Sequence, residues 1–314
     1  MFSLLGGVFL GWSLGANDAA NVFGSAVSSR MLRFWTAAIL ASGFVLFGAI
    51  LEGRGGIETY RGLTYMTLRL AVMSSVAAAI AVTIMTLLRL PVSTSQAAVG
   101  AILGIGLLNR QLNLAVLGKV VTCWFGTPVG GVVIAVLMYK VLAALYNRLQ
   151  MNLFQSDMGF RVCLIGAGSY GAYALGANNV ANVTAVFVGA GMLTVFSALL
   201  IGGLSIGLGI MTFSRRVMET VGRRLVRLDP FSALVVVLAE AVTVHFYTFL
   251  GVPVSTSQAV VGAVLGVGIV KGINTISRRT LVNILLGWFL TPVVACFLAL
   301  AIDFAAHLRY VPSP

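Results

Sequence analysis

Pro91-Val92-Ser93-Thr94-Ser95-Gln96 recurs without change as Pro253-Val254-Ser255-Thr256-Ser257-Gln258, 162 positions later. Two further blocks repeat in the same order. Gly15-Ala16-Asn17-Asp18-Ala19-Ala20-Asn21-Val22 returns as Gly176-Ala177-Asn178-Asn179-Val180-Ala181-Asn182-Val183, 161 positions later and with six of eight residues identical. Trp124-Phe125-Gly126-Thr127-Pro128 returns as Trp288-Phe289-Leu290-Thr291-Pro292 at a spacing of 164. Three blocks in one order at nearly constant spacing are an internal duplication. The expected halves run over 1–150 and 162–314, with residues 151–161 as a linker short enough to keep the halves packed together.

These motifs lie in a chain that water cannot solvate. Of its 314 residues 59% are hydrophobic and 9% charged, and the mean hydropathy is +1.03. A soluble domain carries about 25% charged residues. With so few polar groups, lipid is the solvent. The net charge of +12 would suggest nucleic acid in a soluble protein. Here the basic residues gather at the ends of apolar runs, as at Arg30 and Arg33 or at Arg223, Arg224 and Arg227. That pattern suits anionic lipid headgroups, and no basic stripe with interleaved aromatics is present to bind nucleic acid. Cys123, Cys163 and Cys296 stand singly and read as small buried hydrophobes.

Apolar runs fall at about 2–28, 35–51, 64–88, 92–108 and 114–147, then 162–189, 192–213, 231–251, 254–270 and 281–306. They predict an all-α polytopic membrane protein. The first run has no basic stretch before it and leads into the first motif, so it is expected to be a retained helix and not a signal peptide. The 92–108 and 254–270 runs fall short of the roughly 20 residues of a full crossing, which predicts broken or re-entrant helices. After the first run, half one carries Arg30 and Arg33, while the matching stretch at 189–192 is uncharged. After the second run, Arg54 and Arg61 are offset by Glu52 and Glu58, whereas half two carries Arg215, Arg216, Arg223, Arg224 and Arg227. The basic side switches between halves. Inverted-topology repeats behave in this way, with the N-terminus outside and the 215–227 loop inside.

Two constellations carry chemistry. Asp18 lies within an apolar run, where an isolated carboxylate costs at least about 2.5–3.5 kcal/mol. Asn17, Asn21 and Ser25 share its turn or face, and Gly15 is expected to let the helix break and release carbonyls. The set is either an oxygen cage for a small monovalent cation or a hydrogen-bonded knot between helices. The Pro-Val-Ser-Thr-Ser-Gln motif places hydroxyls and backbone N–H groups at a helix N-terminus, followed by Gly100 and Gly104 or Gly262 and Gly266. Such a terminus binds an anion without arginine, although helix capping alone uses one of its hydroxyls. The glycines four apart suit close helix packing. Glu240 and His245 share a third apolar run in half two only, opposite Ala78 and Thr83 in half one. Glu240 is a candidate proton or cation ligand, and His245 a structural hydrogen-bonder. Gly203-Leu204-Ser205-Ile206-Gly207 spells a hydrolase nucleophile pattern, but within a membrane run it lacks the required strand-to-helix turn, so no enzyme is expected.

Together the Gly-Ala-Asn-Asp-x-Ala-Asn and Pro-Val-Ser-Thr-Ser-Gln motifs resemble the inorganic phosphate transporter (PiT) family over nearly the whole chain. The resemblance implies an inverted-repeat secondary transporter, usually a homodimer, in the plasma (inner) membrane. It would move phosphate with sodium ions or protons and need no cofactor beyond coupling sodium. Carried over by position, Ser93, Thr94, Ser95, Gln96, Ser255, Thr256, Ser257 and Gln258 would bind the anion. Asn17, Asp18, Asn21, Asn178, Asn179 and Asn182 would serve the coupling cation, with sodium at Asp18, Asn21, Asn178 and Asn182. Two departures from the family pattern remove negative charge: Asn179 stands where Asp is common, and Val45 aligns where many members have Glu. Some relatives carry sulfate with protons, so a sulfate or related oxyanion permease is the alternative. An anion channel ranks lower, because polarity is concentrated at two paired spots and does not form a continuous stripe.

Overall fold

The computed structural model describes residues 2–87, 92–224, 228–272 and 278–308. Pro91 and Arg227, used in the motif and loop readings, lie outside the described residues. Within them the chain is all-α: α1 (Leu5–Ser28), α2 (Phe34–Glu52), α3 (Arg54–Arg61), α4 (Leu68–Leu87), α5 (Thr94–Asn109), α6 (Leu114–Arg148), α7 (Leu153–Gly189), α8 (Val195–Arg224), α9 (Pro230–Phe249), α10 (Thr256–Lys271) and α11 (Arg278–Leu308). Among the described residues six helices, α2, α4, α6, α8, α9 and α11, are long and apolar enough to cross a membrane. The chain is therefore an integral, multi-pass membrane protein. Helices α1 and α7 stand outside that six although they have 24 and 37 residues. They carry the Asn and Asp motifs and lie largely buried among the others.

The expected interruptions fall between α4 and α5 and between α9 and α10. Helices α5 and α10 have 16 residues each, or about 24 Å at 1.5 Å per residue, short of a hydrocarbon core of about 30 Å. Both begin the same way. Ser93 and Ser255 hold extended backbone, and each hydroxyl accepts the N–H three residues on, from Gln96 and Gln258, at 3.3 Å. One hydroxyl per motif thus accepts at the cap and keeps its O–H to donate.

No break occurs at the first motif. Helix α1 runs through Gly15, and α7 through Gly176, without interruption, so no carbonyls are released there. These glycines let backbones touch. A Cβ at Gly15 would collide with the Ile206 carbonyl, and one at Gly176 with the Val45 carbonyl. Gly48 meets the Tyr173 carbonyl, and Gly209 meets that of Trp12. The four contacts are two pairs, each partner 161 positions from its mate. Gly100 meets the Pro292 carbonyl and Gly262 that of Pro128. A Cβ at Gly104 or Gly266 would lie 2.6 Å from the oxygen of Cys296 or Val132. All eight contacts join one half to the other. The main helix pairs do the same: α1 with α8, α2 with α7, α5 with α11 and α6 with α10.

The third repeated block shapes α6 and α11. Pro128 and Pro292 lie inside these helices, where the ring removes a hydrogen bond and bends the axis. The preceding Thr127 and Thr291 hydroxyls bond back to the carbonyls of Cys123 and Gly287, both at 2.6 Å. The bent helices present the Pro128 and Pro292 carbonyls to Gly262 and Gly100.

The halves differ after their second long helix. In half one the chain turns at Gly53 into the short helix α3, which packs on α7. The matching stretch of half two continues straight as the end of α8. Helix α3 covers the α9–α10 connection, where Thr59 Oγ1 donates to the Gly251 carbonyl at 2.5 Å. Two further expectations need correction. Most of 151–161 is not a linker: α7 starts at Leu153 under a capping box of Asn152 and Gln155, leaving a turn at 149–152. Of the three cysteines expected to be buried, Cys163 is exposed and Cys123 and Cys296 are half-buried.

The glycine contacts give a direct test. Gly176→Ala or Gly209→Ala should destabilise the detergent-solubilised protein by about 1–3 kcal/mol, the usual cost of overpacking. Gly166→Ala, where an added Cβ meets nothing within 4 Å, should lower the thermal midpoint by no measurable amount.

Candidate functional site

The pairing of halves brings the two motif types together across the repeat boundary. Helix α1 meets the tip of α10: Thr256 Oγ1 donates to Asp18 Oδ2 at 3.0 Å, and Asn21 Nδ2 donates to the same hydroxyl at 3.3 Å. Helix α7 meets the tip of α5: Ser95 Oγ lies 3.1 Å from Asn179 Oδ1, and Asn182 Nδ2 donates to Ser95 Oγ at 3.0 Å. Asn182 also donates to Asn179 Oδ1 at 2.8 Å. The tips touch each other too, since Ser95 Oγ lies 2.8 Å from the Val254 carbonyl just before Ser255. Four elements, two from each half, thus converge on one polar cluster within an apolar bundle.

The cluster is closed. Asp18 is 5% exposed, Asn179 0% and Ser95 0%. Thr94, Gln96, Thr256, Gln258, Asn178 and Asn182 are also buried, while Asn17, Asn21 and Ser257 are half-buried. Burial at such depth demands hydrogen-bond partners, and four groups lack them. Gln96 Oε1, Gln258 Oε1, Asn179 Nδ2 and Glu240 Oε2 are buried with no partner among the described residues. Glu240, on α9, lies within electrostatic range of Asp18. An unmet buried polar atom costs about 1–3 kcal/mol, so a group of them beside two helix N-termini marks a place built to receive something polar.

Not every residue singled out from sequence joins the cluster by a hydrogen bond. Asn17 Nδ2 turns back to the Ser13 carbonyl. Asn178 holds the α9–α10 connection, donating to Thr248 Oγ1 and the Val252 carbonyl and accepting from Val254 N. Its amide braces the approach to the α10 tip. Ser93 and Ser255 serve as caps. Ser205, in the hydrolase-like pattern, sits mid-helix and bonds to the Ile201 carbonyl.

Tyr60 is the residue that sequence reasoning missed. It lies on α3, is 3% exposed, and donates to Asn182 Oδ1 at 2.5 Å. Its hydroxyl also lies 3.4 Å from the Ser95 carbonyl. Helix α3 is short and charged at Arg54, Glu58 and Arg61, so it reads as a loop. The position 161 residues later is Val221, so no duplication draws attention to Tyr60.

A family model described as the phosphate transporter family matches residues 14–299. A Methanocaldococcus jannaschii protein with the provisional name phosphate permease is 29% identical over 295 residues, 94% of each chain. A sulfate permease of Bacillus subtilis is 28% identical over 308 residues, covering 96% of this chain and 85% of its own. Among solved structures, a sodium-dependent phosphate transporter superposes with a TM-score of 0.85 at 25% identity, covering 98% of this chain and 100% of its own.

Tyr60→Phe keeps the ring and removes the donor to Asn182. It should cost about 1–3 kcal/mol, the penalty of an unmet buried acceptor, as a lowered thermal midpoint in detergent. Arg61→Gln on the same helix should leave that midpoint within about 0.5 kcal/mol of the parent.

Proposed function

The chain belongs to the phosphate transporter family, and on that premise we propose that it carries inorganic phosphate across a membrane together with a cation, sodium or a proton. The observation that carries the reading is the meeting of two helix N-termini, α5 and α10, at one buried polar cluster. Helix N-termini offer backbone donors and positive partial charge to a tetrahedral oxyanion without a fixed cationic side chain. In this reading Thr94, Ser95 and Gln96 with Thr256, Ser257 and Gln258 contact the anion, and the capping hydroxyls of Ser93 and Ser255 hold the two tips in shape.

Asp18, Asn21 and Thr256 supply oxygen atoms of the hard type that suits a small cation. A cation there neutralises the carboxylate and improves the field for the anion close by. Asn182 and Asn179, at the other pair of elements, lack a carboxylate, so the second site contributes dipoles where the first contributes charge. The loaded cluster then reaches the two faces of the membrane in turn. Membrane side, with the N-terminus outside in a plasma (inner) membrane, and a homodimeric state follow from the same reading.

A specific observation ranks phosphate above sulfate. At neutral pH phosphate keeps at least one P–OH and can donate a hydrogen bond, whereas sulfate can only accept. The unmet atoms near the tips include acceptors, Gln96 Oε1, Gln258 Oε1 and Glu240 Oε2. A donor on the substrate would satisfy one of them. Sulfate remains the second reading because of the Bacillus subtilis relative and because Asn179 and Val45 reduce the acidity of the path.

The test is labelled phosphate uptake into proteoliposomes with sodium and proton gradients imposed separately and sulfate as competitor. One gradient should drive uptake, and a tenfold excess of sulfate should leave most of it intact. Asp18→Asn should lower gradient-driven uptake at least tenfold while the folded protein still forms. Uptake of sulfate with none of phosphate would overturn the substrate assignment, and uptake indifferent to both gradients would overturn the coupling.

A further inference from the structure

A second titratable cluster lies apart from the helix tips, where α2, α7 and α9 meet. His245 Nε2 is 2.7 Å from Glu52 Oε2, and Nδ1 is 2.7 Å from the Tyr170 hydroxyl. The Tyr173 hydroxyl also faces Glu52. Phe249 stacks on the imidazole with centroids 4.5 Å apart, and the Tyr170 and Tyr173 rings meet it edge-on. The titratable groups facing His245 are therefore Glu52 from α2 and Tyr170 and Tyr173 from α7, and Phe249 of α9 closes the stacked face. The His245 side chain is 14% exposed and Glu52 31%, so the pair is sheltered but not sealed.

The hydrogen bonds are suited to two protonation states. An ionised carboxylate only accepts, so Nε2 carries a hydrogen toward Glu52. In the neutral imidazole Nδ1 then accepts from the Tyr170 O–H. When a proton adds to Nδ1, the hydroxyl rotates and becomes the acceptor. No heavy atom has to move, because a tyrosine hydroxyl can play either part. The added charge converts the His245–Glu52 contact from a hydrogen bond onto a carboxylate into an ion pair.

The duplication supplies an internal control. The positions matching Glu52, Tyr170, Tyr173 and His245 hold Phe213, Phe9, Trp12 and Thr83. The correspondence is structural, since the Gly48–Tyr173 contact has its twin in Gly209–Trp12. There Trp12 packs against Phe213 and Phe9, and an apolar hollow is lined by Phe9, Ala79, Ile80, Thr83 and Ile84. One end of the bundle thus has a titratable cluster where its twin has an apolar one.

We propose that Glu52, Tyr170 and His245 form a proton-binding site that fastens α2 of one half to α7 and α9 of the other, more firmly when the imidazole is charged. Acidification then slows any step that separates these helices. This transport consequence rests on the carrier reading, whereas proton binding itself does not. The chain has two histidines, His245 and His307, so the site can be observed directly. In histidine-labelled protein in nanodiscs, with His307→Gln to assign the signals, the His245 resonance should move on acidification as the imidazole takes up a proton. Glu52→Gln should weaken proton binding at least about tenfold, the effect of removing an opposite charge at this range. A His245 signal unchanged across pH 5–9, or a midpoint unmoved by Glu52→Gln, would overturn the site. In proteoliposomes with equal phosphate inside and out, labelled exchange should slow on acidification, and His245→Gln should flatten that dependence. Slowing on acidification as steep in His245→Gln as in the parent would overturn the fastening role. If neither phosphate nor sulfate is exchanged, the carrier reading fails while the resonance still decides the proton site.

Discussion

A carboxylate and several amides lie inside helices surrounded by hydrocarbon-loving side chains, and nothing but the protein can solvate them. That constraint organises the molecule. Asp18 and Asn21 on α1 take the Thr256 hydroxyl, and Asn179 and Asn182 on α7 take that of Ser95. The solvating hydroxyls come from the tips of two half-length helices, which can end inside the bundle only because their own N–H groups find caps and carbonyls there. Partnering of the polar motifs and interruption of α4–α5 and α9–α10 are one device.

The device works at ångström tolerance only if backbones are fixed, and this is the task of the glycines. Helices α1 and α7 are pressed against α8 and α2 with no side chain between them at Gly15, Gly209, Gly176 and Gly48. Helices α5 and α10 are pressed against the bent α11 and α6 in the same way. Backbone contacts of this kind replace the hydrophobic drive that lipid removes from helix association. The polar cluster is therefore held from outside by apolar contacts and from inside by hydrogen bonds.

Much of this was legible in the sequence because duplication is a signal that needs no partner to be read. The two motifs, the short 92–108 and 254–270 runs and the Gly100/Gly104 and Gly262/Gly266 pairs all announce themselves twice. What was lost in reading was information held across distance. Gly15 was taken for a helix breaker, since a glycine permits bending or close approach and only the Ile206 carbonyl opposite decides which. Ser93 and Ser255, read as anion ligands, also cap their helices: each oxygen accepts the N–H of Gln96 or Gln258 and keeps its own O–H to donate. Tyr60 and the Glu52–His245 contact have no twin in the other half. Glu52 and His245 stand 193 positions apart, so no local pattern joins them.

The pattern of contacts also bears on the repeat as a unit. Each half spends its glycine faces on the carbonyls of the other, and α1 rests on α8 and α2 on α7 in preference to their own neighbours. A single half standing alone would expose every one of these bare backbone seams. A single repeat could cover these seams only against a second copy of the unit.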